Sequence, residues 1–154
     1  MDRRFLNRSV AGLVLAATAA SGAKAAEATK PHRMSFHIVS ADPVMMNVVL
    51  HNIAAAAEYY AARNETVAIE LVANGPGYVM MRADKSPVAA LITETHAKFP
   101  FVVFSACQNS RKAMAKAEGK AVQDIPEVPE ATDVPAGVVR LNELQEQGWT
   151  YIRV

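Results

Sequence analysis

Short apolar, β-rich segments alternate with helical segments along this chain, and that alternation constrains its fold more than any other feature. Strands are predicted at residues 34–40, 66–73, 101–105, 131–134 and 150–153. The third of these, 101–105, is a continuous apolar run, as expected of a strand that is buried on both faces of a parallel sheet. The alternation therefore predicts an α/β domain with a mostly parallel sheet and helices on both faces.

Helices are predicted at residues 43–63, about 86–98, 110–119 and about 135–147. Asp42 precedes Pro43, and aspartate commonly caps a helix that proline begins. Ser86 is the predicted cap of the second helix. The apolar residues of the first helix, including Val48 and Ile53, cover more than one of its faces, which indicates packing on several sides and suggests contact between subunits.

Residues 1–25 have the features of a secretory signal peptide. Arg3, Arg4 and Arg8 precede a short apolar stretch, and Ala23-Lys24-Ala25 is a small-x-small cleavage pattern. The apolar stretch is shorter than a membrane-spanning helix needs, which argues against the alternative of an uncleaved anchor. The sequence therefore predicts a periplasmic or otherwise exported protein, delivered by the Sec route or by the twin-arginine route that the arginine pair suggests.

The rest of the chain divides into a flexible polar leader at 26–33 and one domain at 34–154. Four of the 16 Lys and Arg residues and one of the 15 Asp and Glu residues lie in 1–25, so the remainder carries a net charge of −2. A nucleic-acid surface would need a clustered basic patch, and the sequence shows none. We therefore expect no nucleic-acid partner, and no membrane span once the signal peptide is removed.

Cys107 is the only cysteine, so the chain cannot form an internal disulfide. It follows the third predicted strand and precedes a helix predicted near Ser110. In a parallel sheet, ligands bind beyond the carboxyl ends of the strands, and the N–H groups that begin a helix stabilise a thiolate. A reactive thiol is one interpretation. The alternatives are an inert buried cysteine and a bridge between two chains.

Other polar residues are predicted at the same edge of the sheet. Asp42 follows the first strand, and Asn74, Gly75 and Gly77 follow the second in a turn that matches neither a dinucleotide loop nor a phosphate loop. These glycines suit a tight turn, and they would also let the backbone approach the thiol. His37, on the first strand, is either a base acting on Cys107 or a packed core residue.

No cofactor and no metal ion are predicted. The four histidines are scattered at spacings that match no zinc motif, and a C-x-x-C pair is absent.

Four segments together resemble the DsrE/DsrF-like family of sulfur-relay proteins. They are FHIVSADP, LHNIAAAAEYY with VAIELVANGPGYVMM, the cysteine turn FSACQNS, and the ending VPAGVVRLNELQEQGWTYIRV. In this order and spacing they cover nearly all of 34–154. The A-C-x-N turn and the terminal G-W-x-Y-I-R are the most specific parts.

The resemblance implies a three-layer α/β/α sandwich with a parallel five-stranded sheet, assembled as a homo-oligomer such as a trimer or hexamer. It implies that Cys107 carries sulfur as a persulfide, with Asn109 beside it in the turn. Asn74, Gly75 and Gly77 match the loop next to that cysteine. The predicted signal peptide departs from the family, whose well-studied relays are cytoplasmic.

Two main hypotheses follow. The first is an exported sulfur carrier, or a sulfurtransferase-like protein, that takes sulfane sulfur from a protein or a small sulfur compound onto Cys107 and passes it on. The second is a non-catalytic oligomeric binding module in which Cys107 merely lines a crevice for a ligand or partner. A redox sensor that joins two chains through Cys107 is a third possibility.

Overall fold

The computed structural model describes residues 32–154. The signal peptide predicted at 1–25 and residues 26–31 of the predicted leader lie outside the described residues. The assignment of the last two leader residues is wrong, because His32 and Arg33 belong to the first strand. They pair in register with Val67 and Ala68 of the neighbouring strand, and His32 N–H also donates to the Thr66 carbonyl at 2.9 Å.

The five strands form one sheet in which every pairing is parallel. Their order across the sheet is β4-β3-β2-β1-β5. The strands are β1 (His32–Ile38), β2 (Val67–Ala73), β3 (Val102–Cys107), β4 (Ala131–Val134) and β5 (Thr150–Arg153). The predicted five-stranded parallel sheet is confirmed.

Four α-helices and two short 3-10 helices connect the strands. They are α1 (Pro43–Ala62), α2 (Ala89–Lys98), α3 (Gln108–Ala117) and α4 (Gly137–Glu146), with 3-10 helices at Gly75–Met81 and Val122–Asp124. The predicted cap of α1 is confirmed, because Asp42 Oδ1 accepts a hydrogen bond from Val44 N–H at 2.9 Å. Ser86 does not cap α2: its hydroxyl accepts from Val88 N–H, one residue before that helix begins.

The helices lie on both faces of the sheet. The successive connections from β1 to β4 step in one direction, so the right-handed crossover rule puts α1, α2 and α3 on one face and α4 on the other. The packing agrees, because Ile53 of α1 and Ile92 of α2 share the main core with Phe104, whereas Leu144 of α4 packs on Val72 in a separate cluster. The molecule is therefore a three-layer α/β/α sandwich.

The sheet face that carries α4 is only partly covered. Val103 lies on β3, an interior strand, and is still 37% exposed, although the strands of parallel sheets are usually buried on both faces. A cavity of about 360 Å³ lies beside α4. Its lining residues come from β3, β4 and α4 and are Val103, Ser105, Thr132, Val134, Pro135, Ala136, Val139, Arg140 and Glu143.

A buried ion pair joins this face of the sheet to α4. Glu70 is 1% exposed, and its two carboxylate oxygens accept from Nε and Nη2 of Arg140 at 2.7 Å each. The Ser105 hydroxyl donates to the same carboxylate at 2.5 Å. A buried carboxylate is tolerated only when it is paired and hydrogen-bonded, and these three donors satisfy that condition.

Candidate functional site

Cys107 lies at the junction of a strand and a helix, at the carboxyl edge of the sheet. It is the last residue of β3 and the residue immediately before α3. The strand runs two residues further, and the helix begins two residues earlier, than the sequence indicated, because residues 106 and 107 still pair with Asp133 and Val134 of β4. The thiol therefore belongs to the sheet and to the helix start at once.

Hydrogen-bond donors from separate parts of the chain surround the sulfur atom. Gly137 N–H, at the start of α4, donates to Cys107 Sγ at 3.2 Å. Ser110 Oγ accepts from Gly75 N–H at 2.7 Å, which leaves the hydroxyl proton free to be donated to the thiol. The first turn of α3 and the start of α4 therefore meet at this sulfur, and the turn after β2 holds Ser110 in place.

These donors determine the acidity of the thiol. Burial is the largest single influence and raises the pKa of Cys107. Hydrogen bonds from the Ser110 hydroxyl, from Gly137 N–H and from the backbone N–H groups of Ser110 and Asn109 together outweigh burial. The pKa of Cys107 is thus lower than that of an ordinary thiol, as for other cysteines at helix N-termini.

The thiol of Cys107 is buried, which is one of the alternatives that the sequence left open. Cys107 is 4% exposed, because the first residue of α4 lies directly against it. Its immediate surroundings are nevertheless polar, and it lies at the ligand-binding edge of the sheet rather than in the apolar core cluster.

His37 does not act on the thiol as a base. Its Nε2 is hydrogen-bonded to Asn74 Oδ1 at 3.0 Å and its Nδ1 to the Tyr151 hydroxyl at 2.7 Å. Because both ring nitrogens are engaged elsewhere, this arrangement favours the packed alternative over a base acting on Cys107. The ring instead holds the side chain of Asn74. That side chain lies against Gly137, since a Cβ added to Gly137 would be 2.8 Å from Asn74 Cβ.

The four other residues predicted at this edge differ in where they lie and in what they contact. Gly75 adopts φ +53°, which suits glycine, and supplies the N–H that holds Ser110. A Cβ on Gly77 would lie 2.7 Å from the Ile38 carbonyl oxygen, so this glycine lets the turn pack on β1. Asp42 caps α1 and is hydrogen-bonded only near that helix start. Asn109 is exposed beside the thiol.

Two residues that contact the sulfur, Gly137 and Ser110, were not predicted from the sequence. Gly137 follows β4, so applying the strand-end rule to the fourth strand as well as to the first three would have found it. Ser110 was read only as the start of a helix. Its position three residues after Cys107, on the first turn of α3, is the signal that was available.

A second polar cluster, also missed, fixes the start of α3. Glu127 accepts from the Tyr78 hydroxyl at 2.5 Å and from Gln108 Nε2 at 3.0 Å, and pairs with Arg111 at 2.8 Å. Gln108 also donates to Asp133 at 2.8 Å. Burial, together with the Asp133 carboxylate, raises the pKa of Glu127. These contacts anchor the residue next to the thiol to the chain segment that precedes β4.

An apolar groove lies next to the site. It has a volume of about 530 Å³ and is bordered by the turn after β2 and by one side of α3. Its lining residues are Gly75, Pro76, Asn109, Ser110, Ala113, Met114 and Ala117. Ser110 therefore faces both the sulfur and this groove.

Among residues 32–154, no three His, Cys, Asp or Glu side chains lie close enough to hold a metal ion together. No helix found there is long and apolar enough to cross a membrane.

We expect the acidity of the thiol to depend on the Ser110 hydroxyl. The rate of Cys107 alkylation by iodoacetamide should rise with pH around a midpoint below that of an ordinary thiol, because the thiolate is the nucleophile. Ser110→Ala should move the midpoint to higher pH, and Ser110→Thr should restore it. Ser86→Ala, which removes a hydroxyl from a remote turn, is the control. An unmoved midpoint in Ser110→Ala would contradict the assignment.

The fold and the site together define an α/β/α sandwich with a single acidic thiol at a strand–helix junction. No model of a known protein family matches the chain, and no curated protein matches it either. Among solved structures, the chain is similar to MTH1491, a protein of unknown function from Methanobacterium thermoautotrophicum. The two are 28% identical with a TM-score of 0.63, over 80% of this chain and 99% of that one.

Proposed function

We propose that this protein is a sulfur carrier, or a sulfurtransferase-like protein, that holds sulfane sulfur as a persulfide on Cys107. One observation carries the proposal: donors from the start of α3 and from the start of α4 converge on a lone thiol and lower its pKa. A thiolate is the species that attacks a sulfane sulfur. The resemblance of the FSACQNS turn to the sulfur relays of the DsrE/DsrF-like family agrees with this chemistry.

The reaction needs one cysteine and no cofactor. With thiosulfate as donor, the Cys107 thiolate attacks the outer sulfur, a Sγ–S bond forms, and the S–S bond of thiosulfate breaks. Sulfite leaves with the bonding electron pair, and the protein retains Cys107–S–S⁻. An acceptor thiolate then attacks the outer sulfur, and Cys107 leaves as the thiolate that its hydrogen bonds stabilise.

The direct test is sulfur loading followed by intact mass. We expect wild-type protein incubated with thiosulfate or polysulfide to gain the mass of one sulfur atom per chain, and the gain to disappear on reduction. Cys107→Ala should gain nothing. Absence of the adduct from the wild type, or its persistence in Cys107→Ala, would reject the sulfur-carrier proposal.

The second candidate is the non-catalytic binding module, and a specific observation favours it. Cys107 is almost fully buried, and a groove of about 530 Å³ lies beside it. In that case a small apolar ligand or a partner segment occupies the groove, and the polar network around the sulfur only holds the walls in place. Protection of the thiol from every sulfur donor would favour this candidate.

We also propose that copies of the chain associate. The partly covered sheet face supports this, because Val103 on β3 and the α4 residues Val138 and Val139 are exposed apolar side chains on the face where the cavity lies. Sedimentation in solution gives the number of copies, and a monomer at all concentrations would remove this part of the proposal. We also propose that the protein is exported, and this proposal rests only on the sequence of residues 1–25.

A further inference from the structure

The Asn74 side chain is held in one orientation beside the thiol. It is 9% exposed, and its Oδ1 is hydrogen-bonded to His37 Nε2. The Tyr151 hydroxyl occupies the other ring nitrogen of His37. When that hydroxyl donates to Nδ1, the proton of the neutral ring is on Nε2 and is donated to Asn74 Oδ1.

This orientation directs the amide nitrogen of Asn74 toward the sulfur site. Asn74 Nδ2 lies 3.2 Å from the position that a Cβ on Gly137 would occupy, and Gly137 N–H is the group that donates to Cys107 Sγ. Among residues 32–154 no acceptor is hydrogen-bonded to Asn74 Nδ2. This NH₂ group is not among the buried polar atoms that lack a partner, so it is accessible and can donate to a group bound at the sulfur.

We infer that Asn74 Nδ2 is the hydrogen-bond donor for the outer, anionic sulfur that Cys107 carries, and that His37 is the positioning residue that directs it. The inference rests on the proposed sulfur-carrier function. The four donors already assigned act on Sγ itself. A persulfide places its negative charge one atom further out, where a further donor stabilises it as oxyanion-hole donors stabilise a developing charge.

The substitution Asn74→Asp tests the donor with little change in shape. Asp keeps an oxygen to accept from His37 but replaces the NH₂ group with a second oxygen, which repels an anionic sulfur. We expect sulfur loading from polysulfide, followed by intact mass, to be about 100-fold slower, the low end of the effect of removing one such donor. Asn47→Asp, on the exposed side of α1, makes the same chemical change away from the site and should load like the wild type.

The positioning role of His37 is tested with one substitution that removes the ring donor and one that replaces it. His37→Leu removes the ring donor and should slow loading, whereas His37→Gln, which places an amide N–H near the position of Nε2, should restore most of the rate. Thermal melts of each variant identify any loss of fold, and a merely structural role for His37 would give slow loading in both variants.

The outcomes separate this inference from the proposed function. Wild-type protein that forms no adduct removes the sulfur-carrier function and the inference with it. Wild-type protein that loads, together with folded Asn74→Asp that loads equally fast, removes the inference alone and leaves the carrier function standing. Slow loading in Asn74→Asp and His37→Leu, with normal loading in Asn47→Asp and recovery in His37→Gln, supports both.

Discussion

Arg140→Ala is expected to destabilise the protein by about 3 kcal/mol, because it leaves a buried carboxylate without its cation. Glu70 keeps only the Ser105 hydroxyl as a donor once the guanidinium is gone. Loss of one partner of a buried pair commonly costs about 3–5 kcal/mol. The low end applies here, because the Arg140 side chain is 30% exposed and water can enter the space that it vacates. Urea unfolding measures the change directly.

The double variant Glu70→Gln with Arg140→Ala tests whether the unpaired carboxylate of Glu70 causes the loss of stability. Neutralising the carboxylate should recover much of the loss, so the two substitutions should be strongly non-additive. Lys98→Ala is the control, since it breaks the exposed pair with Glu58, and such pairs contribute little. A cost below about 1 kcal/mol for Arg140→Ala would contradict the presence of a charged, buried Glu70.

Gly137→Ala should expose the thiol. We expect native wild-type protein to react with maleimide far more slowly than urea-unfolded protein, and Gly137→Ala to react about tenfold faster than the native wild type, as a change in local opening allows. The reason is steric: the added Cβ would lie 2.8 Å from Asn74 Cβ, so the groups that cover the sulfur must move apart. Time-resolved labelling followed by intact mass gives all three rates.

Gly148→Ala is the matched control, at the other end of α4. Gly148 has φ +82° with open space around the position of a Cβ, so alanine strains the backbone without touching the thiol. If both variants label equally fast, loss of overall stability rather than removal of the cover is the cause. If native wild type already labels as fast as the unfolded chain, burial of Cys107 does not persist in solution.

Sequence periodicity was sufficient for the architecture but not for the surroundings of the sulfur. The continuous apolar run before Cys107 and the Asp42–Pro43 pair are local signals, and they led to the correct sheet and to the correct start of α1. The pairing of Glu70 with Arg140 joins residues 70 positions apart and has no local signature. The sequence likewise left open whether Cys107 is buried, because Gly137, which lies against its sulfur, comes from a later crossover.

His37 shows the limit of the argument from strand position. Its place on β1 correctly put it near the ligand-binding edge, but a strand assignment does not say which neighbour a ring nitrogen meets. That depended on Tyr151, which lies opposite Ser35 and diagonally across from His37 on β5, and on Asn74 at the end of β2. Both partners became visible only once the strand order was known.

The donors to the Cys107 sulfur come together only when the chain folds. The groups that acidify Cys107 come from positions 109, 110 and 137, and Ser110 is held in turn by Gly75. An unfolded chain lacks this arrangement, so its thiol is open to solvent but has the pKa of an ordinary cysteine. Folding therefore exchanges access for acidity: the same step that brings the donors to the sulfur also buries it.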